Sequence, residues 1–243
     1  MRQIYKYKPY LLFDIMDTVC LSLGGHVVFK KNGVNVNYIN KFLKLIKDYV
    51  GIYKFVIVVG GGYASRLYTQ PAREIIKNNE VLDEIAIAIT RINALIVKDI
   101  FSELNVYPNV ITNLDDLRAA TRTSEIVFMG GLTPGMTTDS VAVLASEVVN
   151  SKVMINIGNG SFVYDRPPSK PGAKRLEKLD HNKLVEIAAK YDTREADASF
   201  IFDLVASKLA KRANIEIRFV NDQIEELRSA IINRKHNGSI VKN

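Results

Sequence analysis

The segment Gly130–Asp139 reads GGLTPGMTTD, with three glycines, three threonines, a proline and an aspartate set between two apolar runs. EIVFM before it has the apolar, β-branched character of a buried strand, and alanine and valine recur at helical spacing from Val141 to Val149. A strand that turns at Pro134–Gly135 and opens a helix leaves backbone N–H groups unpaired, and Thr133, Thr137 and Thr138 set hydroxyls beside them. Such a turn can cradle a phosphate without a charged side chain. Asp139, in the first helical turn, complements the helix dipole, and on spacing alone that role suffices. Its alternative role is to orient positive groups around a transferring phosphoryl.

Two further glycine clusters, Gly24-Gly25 and Gly60-Gly61-Gly62, also close strand-like runs. In a parallel α/β sheet ligands bind beyond the carboxyl ends of the strands, and glycine there lets backbone N–H groups approach a phosphate. One such turn is ordinary; three in one chain point to phosphate binding. None is a P-loop, and none has the G-x-G-x-x-G dinucleotide spacing.

Net charge is +7 and the pI about 9.3, which favours an anionic partner. The basic residues alternate with acids on segments such as KFLKLIKDYV, so most read as solvated helix faces; no nucleic-acid signature appears. No apolar run reaches the roughly 18 residues that span a bilayer. The opening MRQIYKYKPYLLFDIM is broken by Asp14 and Asp17 and has no small-residue cleavage site, so neither a membrane span nor a signal peptide is expected. Cys20 is the only cysteine, which suits a reducing cytoplasm, and His26, His181 and His236 are too dispersed to suggest a metal centre.

The elements that must position these turns follow from periodicity. VCLSLGGHVVF reads as a strand broken by a glycine pair, and YKFVIVV, NVITN, EIVFM, SKVMINIG and IEIRFVN read as strands. VNYINKFLKLIKDYV, YASRLYTQPAREIIKNN (interrupted at Pro71), VLDEIAIAITRINALIVKDIFSEL, LDDLRAATR, HNKLVEIAAKY, ASFIFDLVASKLAKRAN and QIEELRSAIINR read as helices. Strands alternating with helices of this length mean crossover connections and a largely parallel sheet. YDRPPSKPGAKRLEKL, rich in proline, reads as a long mobile loop or a boundary between two lobes. The first fifteen residues read as a dispensable N-terminal extension, with YLLFDI apolar enough to pair with a sheet edge, and the main domain as residues 16–243.

At this point the chain resembles the archaeal-type uridylate (UMP) kinases of the amino acid kinase superfamily. GGLTPGMTTDSVA is similar to their G-G-x-x-P-G-x-T-T-D-x-V-A segment, VVGGGYASRLY to their second glycine turn followed by an arginine (Arg66), and DEIAIAITRINA to their D-x(7)-R-x-N-A helix. FDLVASKLAKRANIEIRFV and HNGSIV resemble the later helix, strand and tail, so the likeness runs from about Met16 to the C-terminus. It implies a three-layer α/β/α sandwich with a mainly parallel central sheet, phosphoryl transfer from ATP with Mg²⁺ to UMP in pyrimidine nucleotide biosynthesis, and a homohexamer built as a trimer of dimers. It places UMP against Gly61, Asp83, Leu132, Thr133, Pro134, Gly135, Met136, Thr137 and Thr138. It places ATP against Gly25, His26, Gly62, Arg66, Asn159 and Tyr164, with Asp139 as the organising catalytic aspartate. A nucleic-acid or membrane partner is not implied, nor is a protein-held metal.

The chain departs from the pattern on the donor side. Ser22 stands where the superfamily often has a phosphate-contacting lysine, and His26 replaces a small hydroxyl residue. Ser161 and Phe162 replace an Asp-Gly pair, and Pro167 falls where a second aspartate belongs. Two alternatives stay open: a kinase for another small phosphate, such as isopentenyl phosphate, and a nucleotide-binding regulatory or storage subunit without turnover. The intact spacing from Asp83 to Arg91 argues against the first; the altered donor loop favours the second.

Overall fold

A computed structural model describes residues 16–158, 160–191 and 202–243. Strand β1 (Thr18–Leu23), β4 (Lys54–Val59), β5 (Ile126–Met129), β6 (Val153–Ile157) and β10 (Glu216–Val220) are the apolar runs of the sequence, and nearly every residue in them is buried. Runs buried on both faces are what a parallel sheet under two helical layers demands. The strands lie in the order β5-β4-β1-β6-β10-β11-β9, and β5, β4, β1, β6 and β10 pair in parallel. β11 (Ile240–Val241) pairs antiparallel with β10, and β9 (Lys178–Leu179) pairs parallel with β11.

Alternate strand residues feed two cores. Leu21, Leu23, Phe55, Ile57, Phe128 and Ile155 pack under α2 (Val36–Lys47), α4 (Asn79–Ile100) and α9 (Ile224–Ile231). Cys20, Val56, Val58, Met129, Met154 and Phe219 pack under α5 (Leu114–Thr123), α6 (Thr138–Val148), α7 (His181–Tyr191) and α8 (Leu204–Ala213). The helices follow their caps and stripes. On α2, Tyr38, Ile39, Phe42, Leu45 and Ile46 form the buried face, and Asn35 caps the start by accepting from the Tyr38 N–H. The expected three-layer α/β/α sandwich is the observed fold.

Three expectations are corrected. HVVF does not continue β1: Gly25–Val28 forms a one-turn helix, α1, followed by the hairpin of β2 (Phe29–Lys30) and β3 (Gly33–Val34). NVITN makes only one bridge, Ile111 to Met129, with Val106 bridging Ile126 on the near side of Pro108, which has no N–H to carry the ladder between them. The proline-rich segment is neither a bare loop nor a lobe boundary: β7 (Val163–Tyr164) and β8 (Arg175–Leu176) pair antiparallel across it and run on into β9. α3 (Gly62–Ala72) carries Pro71 in its last turn and ends one residue later. The expected N-terminal extension and the start of the ASFIFDL helix lie outside the described residues.

The parallel register brings the carboxyl ends of β5, β4, β1 and β6 side by side, so the glycine turns meet. Gly60 N donates to Leu23 O at 2.9 Å, and a methyl group on Gly25 would lie 2.5 Å from Gly60 O and collide with Gly62 N. Gly62 has φ +60°, and a methyl group there would strike the Gly25 carbonyl. Gly135 has φ +80° but open space around it. Gly62→Ala is therefore expected to lose on the order of 3 kcal/mol or more from strain plus collision, and Gly135→Ala only about 1–2 kcal/mol from backbone strain. Urea denaturation of the two variants measures this; equal losses would contradict the backbone contact.

Candidate active site

The described cleft is built where these turns converge. Its walls include Gly61, Gly62, Ser65, Arg66, Asp83 and Thr90, with Met136, Thr137 and Thr138 across from them, around a cavity of about 260 Å³. Asp83 comes from α4, whose N-terminal part is aimed at the 130–138 turn: its Oδ2 accepts from Gly135 N at 2.8 Å. Arg91, two turns on, donates from Nε to Gly131 O at 3.1 Å and from Nη2 to Leu132 O at 3.2 Å. Asn93 Nδ2 donates to Gly60 O at 2.9 Å and Gly61 O at 3.0 Å, and Thr90 Oγ1 accepts from Gly131 N at 2.7 Å. One helix thus fixes both glycine turns of the cleft. Arg91, which reads in sequence as an ordinary solvated charge, is a clamp on the turn carbonyls.

The 130–138 turn is less free than its sequence implies. Thr137 caps α6, accepting from Ser140 N at 3.1 Å, and its hydroxyl donates to Asp203. Ser140 Oγ also donates to Asp203, at 3.0 Å, while Asp203 caps α8 by accepting from Ala206 N at 2.9 Å. A single carboxylate therefore joins the starts of two helices. In sequence Asp203 carries only the signal of an aspartate directly before an apolar helical run, which marks a cap.

Asp139 lies one residue past the turn, within the first turn of α6. Its Oδ1 accepts from Ser22 Oγ and from Asn156 Nδ2, both at 2.6 Å. Burial pushes its carboxyl up to about 7 against those two bonds, and the neighbouring Asp203 charge adds to the rise. Ser22, which the sequence marks as a missing lysine, is thus the hydroxyl partner of this carboxyl. Asn156 was legible only as part of a strand.

The donor-side residues are partly gathered. Gly25 and Gly62 are in contact, and Arg66 shares the cleft with Asp83. His26 sits on α1 with Nε2 buried and unpartnered; burial, then the charge of Arg66, lowers its pKa, opposed by Asp222. Tyr164 does not line the cleft: it belongs to the β7–β8 hairpin, where its hydroxyl accepts from Arg175 Nε at 3.1 Å. Phe162 is buried, with the Arg175 guanidinium 5.0 Å over its ring. Asn159 lies outside the described residues. Leu132 and Pro134 are half-buried and Thr133 is exposed.

The profile of the Amino acid kinase family matches residues 17–221. The chain is 32% identical over 203 residues to the uridylate kinase of Methanoregula boonei, covering 83% of this chain and 85% of that one. It is 33% identical over 229 residues to the uridylate kinase of Methanococcus aeolicus, covering 92% and 98%. The crystal structure of uridylate kinase from Archaeoglobus fulgidus superposes with a TM-score of 0.80 at 29% identity, covering 92% of this chain and 99% of that one.

The Asp139 environment predicts a pH dependence. An unfolded carboxyl ionises near 3.8 and this one near about 7, so between those values the folded chain holds a proton that the unfolded chain releases. The stability this group carries is present in acid and is lost as pH rises to about 7. Asp139→Asn keeps the Oδ1 acceptor and should flatten that decline, read from urea midpoints between about pH 4 and about pH 7. An unchanged slope would place the carboxyl in water.

Proposed function

This chain belongs to the amino acid kinase family, and we propose that it is a uridylate kinase, transferring the γ-phosphoryl of ATP to UMP to give UDP. The observation that carries the reading is the cleft itself. Asp83 and Arg66 face a turn of glycines and threonines across a cavity of about 260 Å³, in a chain 32% identical over 203 residues to a protein named uridylate kinase. In this reading Asp83 takes the ribose hydroxyls of UMP while Gly61 and residues 132–138 hold its phosphate. Gly25, His26, Gly62, Arg66, Asn159 and Tyr164 face ATP. A phosphate oxygen of UMP forms the new bond to the γ-phosphorus, the bond to the β-bridging oxygen breaks, and ADP leaves with that oxygen.

Such transfer needs positioning and charge neutralisation more than covalent chemistry. Among the described residues no cluster of three or more acidic, histidine or cysteine side chains is set to cage a metal. Mg²⁺ binds through substrate phosphates plus one or two carboxylates. Asp139 and Asp203, neighbouring acids beside the turn, would be the groups to complete its shell. Mg²⁺ would supply the positive charge that Ser22 does not. The groups that hold Asp139 are both neutral, so its task is to position Ser22 and Asn156 at the junction of β1, β6 and α6.

The same reading extends to assembly and location. Leu67 and Tyr68 on α3 and Ile92 and Leu95 on α4 are each more than half exposed, an apolar face of the kind that self-association covers. We take it as the surface of a homo-oligomer, a hexamer built as a trimer of dimers, with sedimentation velocity of the full chain as the check; a monomer at micromolar concentration would reject it. No described helix is long and apolar enough to cross a membrane, and the lone Cys20 is buried, which suits a cytoplasmic enzyme.

A coupled assay with ATP, Mg²⁺ and a panel of phosphate acceptors tests the activity. UMP-dependent ADP release is expected; bound nucleotide without turnover would instead favour a regulatory or storage subunit, as the altered donor loop allows. In the same assay Asp83→Ala and Arg66→Ala should weaken nucleotide binding roughly tenfold or more, since a charge-assisted hydrogen bond contributes about 1.5–3 kcal/mol. Asp139→Asn should keep UMP affinity and lose most of kcat. Normal turnover in folded Asp139→Asn would reduce the residue to a helix cap.

A further inference from the structure

A second polar groove lies between α2 and the start of α9, outside the cleft, with a volume of about 750 Å³. Lys30 from the β2–β3 hairpin and Lys41 and Lys44 on α2 line it, and none of them forms an ion pair with a described residue. Arg228 on the opposite wall is already held, by Asp48 at 2.9 Å and Glu225 at 3.3 Å. The lining thus sets four cations, Lys30, Lys41, Lys44 and Arg228, against two acids, Asp222 and Glu225, a positive excess in a chain whose net charge is +7.

Tyr38 is the independent sign of a ligand. The residue borders the groove and is 7% exposed, its ring stacks on Phe42 with centroids 6.3 Å apart, and its hydroxyl is buried with no hydrogen-bond partner among the described residues. Burial and the Asp222 charge both hold the phenol protonated, so it can offer an O–H to an incoming acceptor. A buried polar group without a partner is uncommon in a native protein, and a ligand oxygen is one way to satisfy it. The first turn of α2 starts at the same place, at Asn35 and Val36, and a helix of twelve residues contributes a positive partial charge there.

We propose that this groove is a second anion site, taking a ligand that carries a di- or triphosphate chain. The Tyr38 hydroxyl donates to a phosphate oxygen, and Lys30, Lys41 and Lys44 neutralise the chain.

The test is calorimetric titration of the full chain with inorganic tripolyphosphate, before and after the exchange Lys41→Glu with Lys44→Glu. The two exposed lysines can be replaced without touching either core. The parent chain should show a class of site that persists in Arg66→Ala with the acceptor side saturated by UMP. In the double variant that class should weaken at least tenfold while UMP binding is unchanged, and Tyr38→Phe should weaken it severalfold. Tripolyphosphate affinity unaltered by the lysine exchange would overturn the proposal, as would loss of all binding in UMP-saturated Arg66→Ala, which would place the anion in the catalytic cleft. Repeating the titration of UMP-saturated Arg66→Ala with a nucleoside triphosphate separates the sources: tighter binding than tripolyphosphate assigns the site to nucleotides, equal binding to the phosphate chain alone, and either keeps the anion site.

Discussion

Everything at the carboxyl edge depends on two backbone segments lying in direct contact. The turn after β1 and the turn after β4 meet at Gly25, Gly60 and Gly62 with no side chain between them. That contact sets how close the N–H groups of both turns come to one point, which a phosphate needs and a β-carbon would prevent. The parallel pairing of β1 with β4 holds the turns level, and Asn93 on α4 ties Gly60 and Gly61 from behind. The sheet and α4 act here as a jig for a backbone surface.

Charge is arranged around that surface with restraint. Arg91 is used to hold carbonyls, Asp83 to hold an N–H, and Asp203 to hold two hydroxyls and a helix start. Asp139 accepts from two neutral partners, Ser22 and Asn156, and Arg66 is the cation that lines the cleft. A site built this way is rigid where it binds and leaves its charge balance to its ligands.

Much of this was readable in the sequence, for physical reasons. Strands buried on both faces are unbroken apolar runs, so KFVIVV and IVFM announce themselves, and each ends in the glycines its neighbour requires. Where local preference was overruled the sequence misled. Val27 and Val28 favour extension, yet the close approach of Gly25 to the second turn winds Gly25–Val28 into a helical turn. Arg91, Asn156 and Asp203 were illegible as site residues because their partners lie 17 to 66 positions away or on backbone atoms, and periodicity carries no information about such pairings. The likeness to a known family reached the residues that line the cleft, such as Asp83 and Arg66, but not Asp203 and Asn156, which hold its turns in place.

The Ser22–Asp139 bond spans 117 positions and the Thr137–Asp203 bond spans 66, so the site is stitched from both ends of the chain. On a ribosome the acceptor turn emerges well before Asp203 and β10, and β6 cannot complete its pairing until β10 follows it. Vectorial synthesis therefore exposes a half-built sheet whose β6 edge is apolar and unpaired, the kind of surface that chaperones cover. Contacts of such long sequence separation also form slowly. The nascent chain holds its 130–138 turn early and completes the cleft's supports only when its last third has folded.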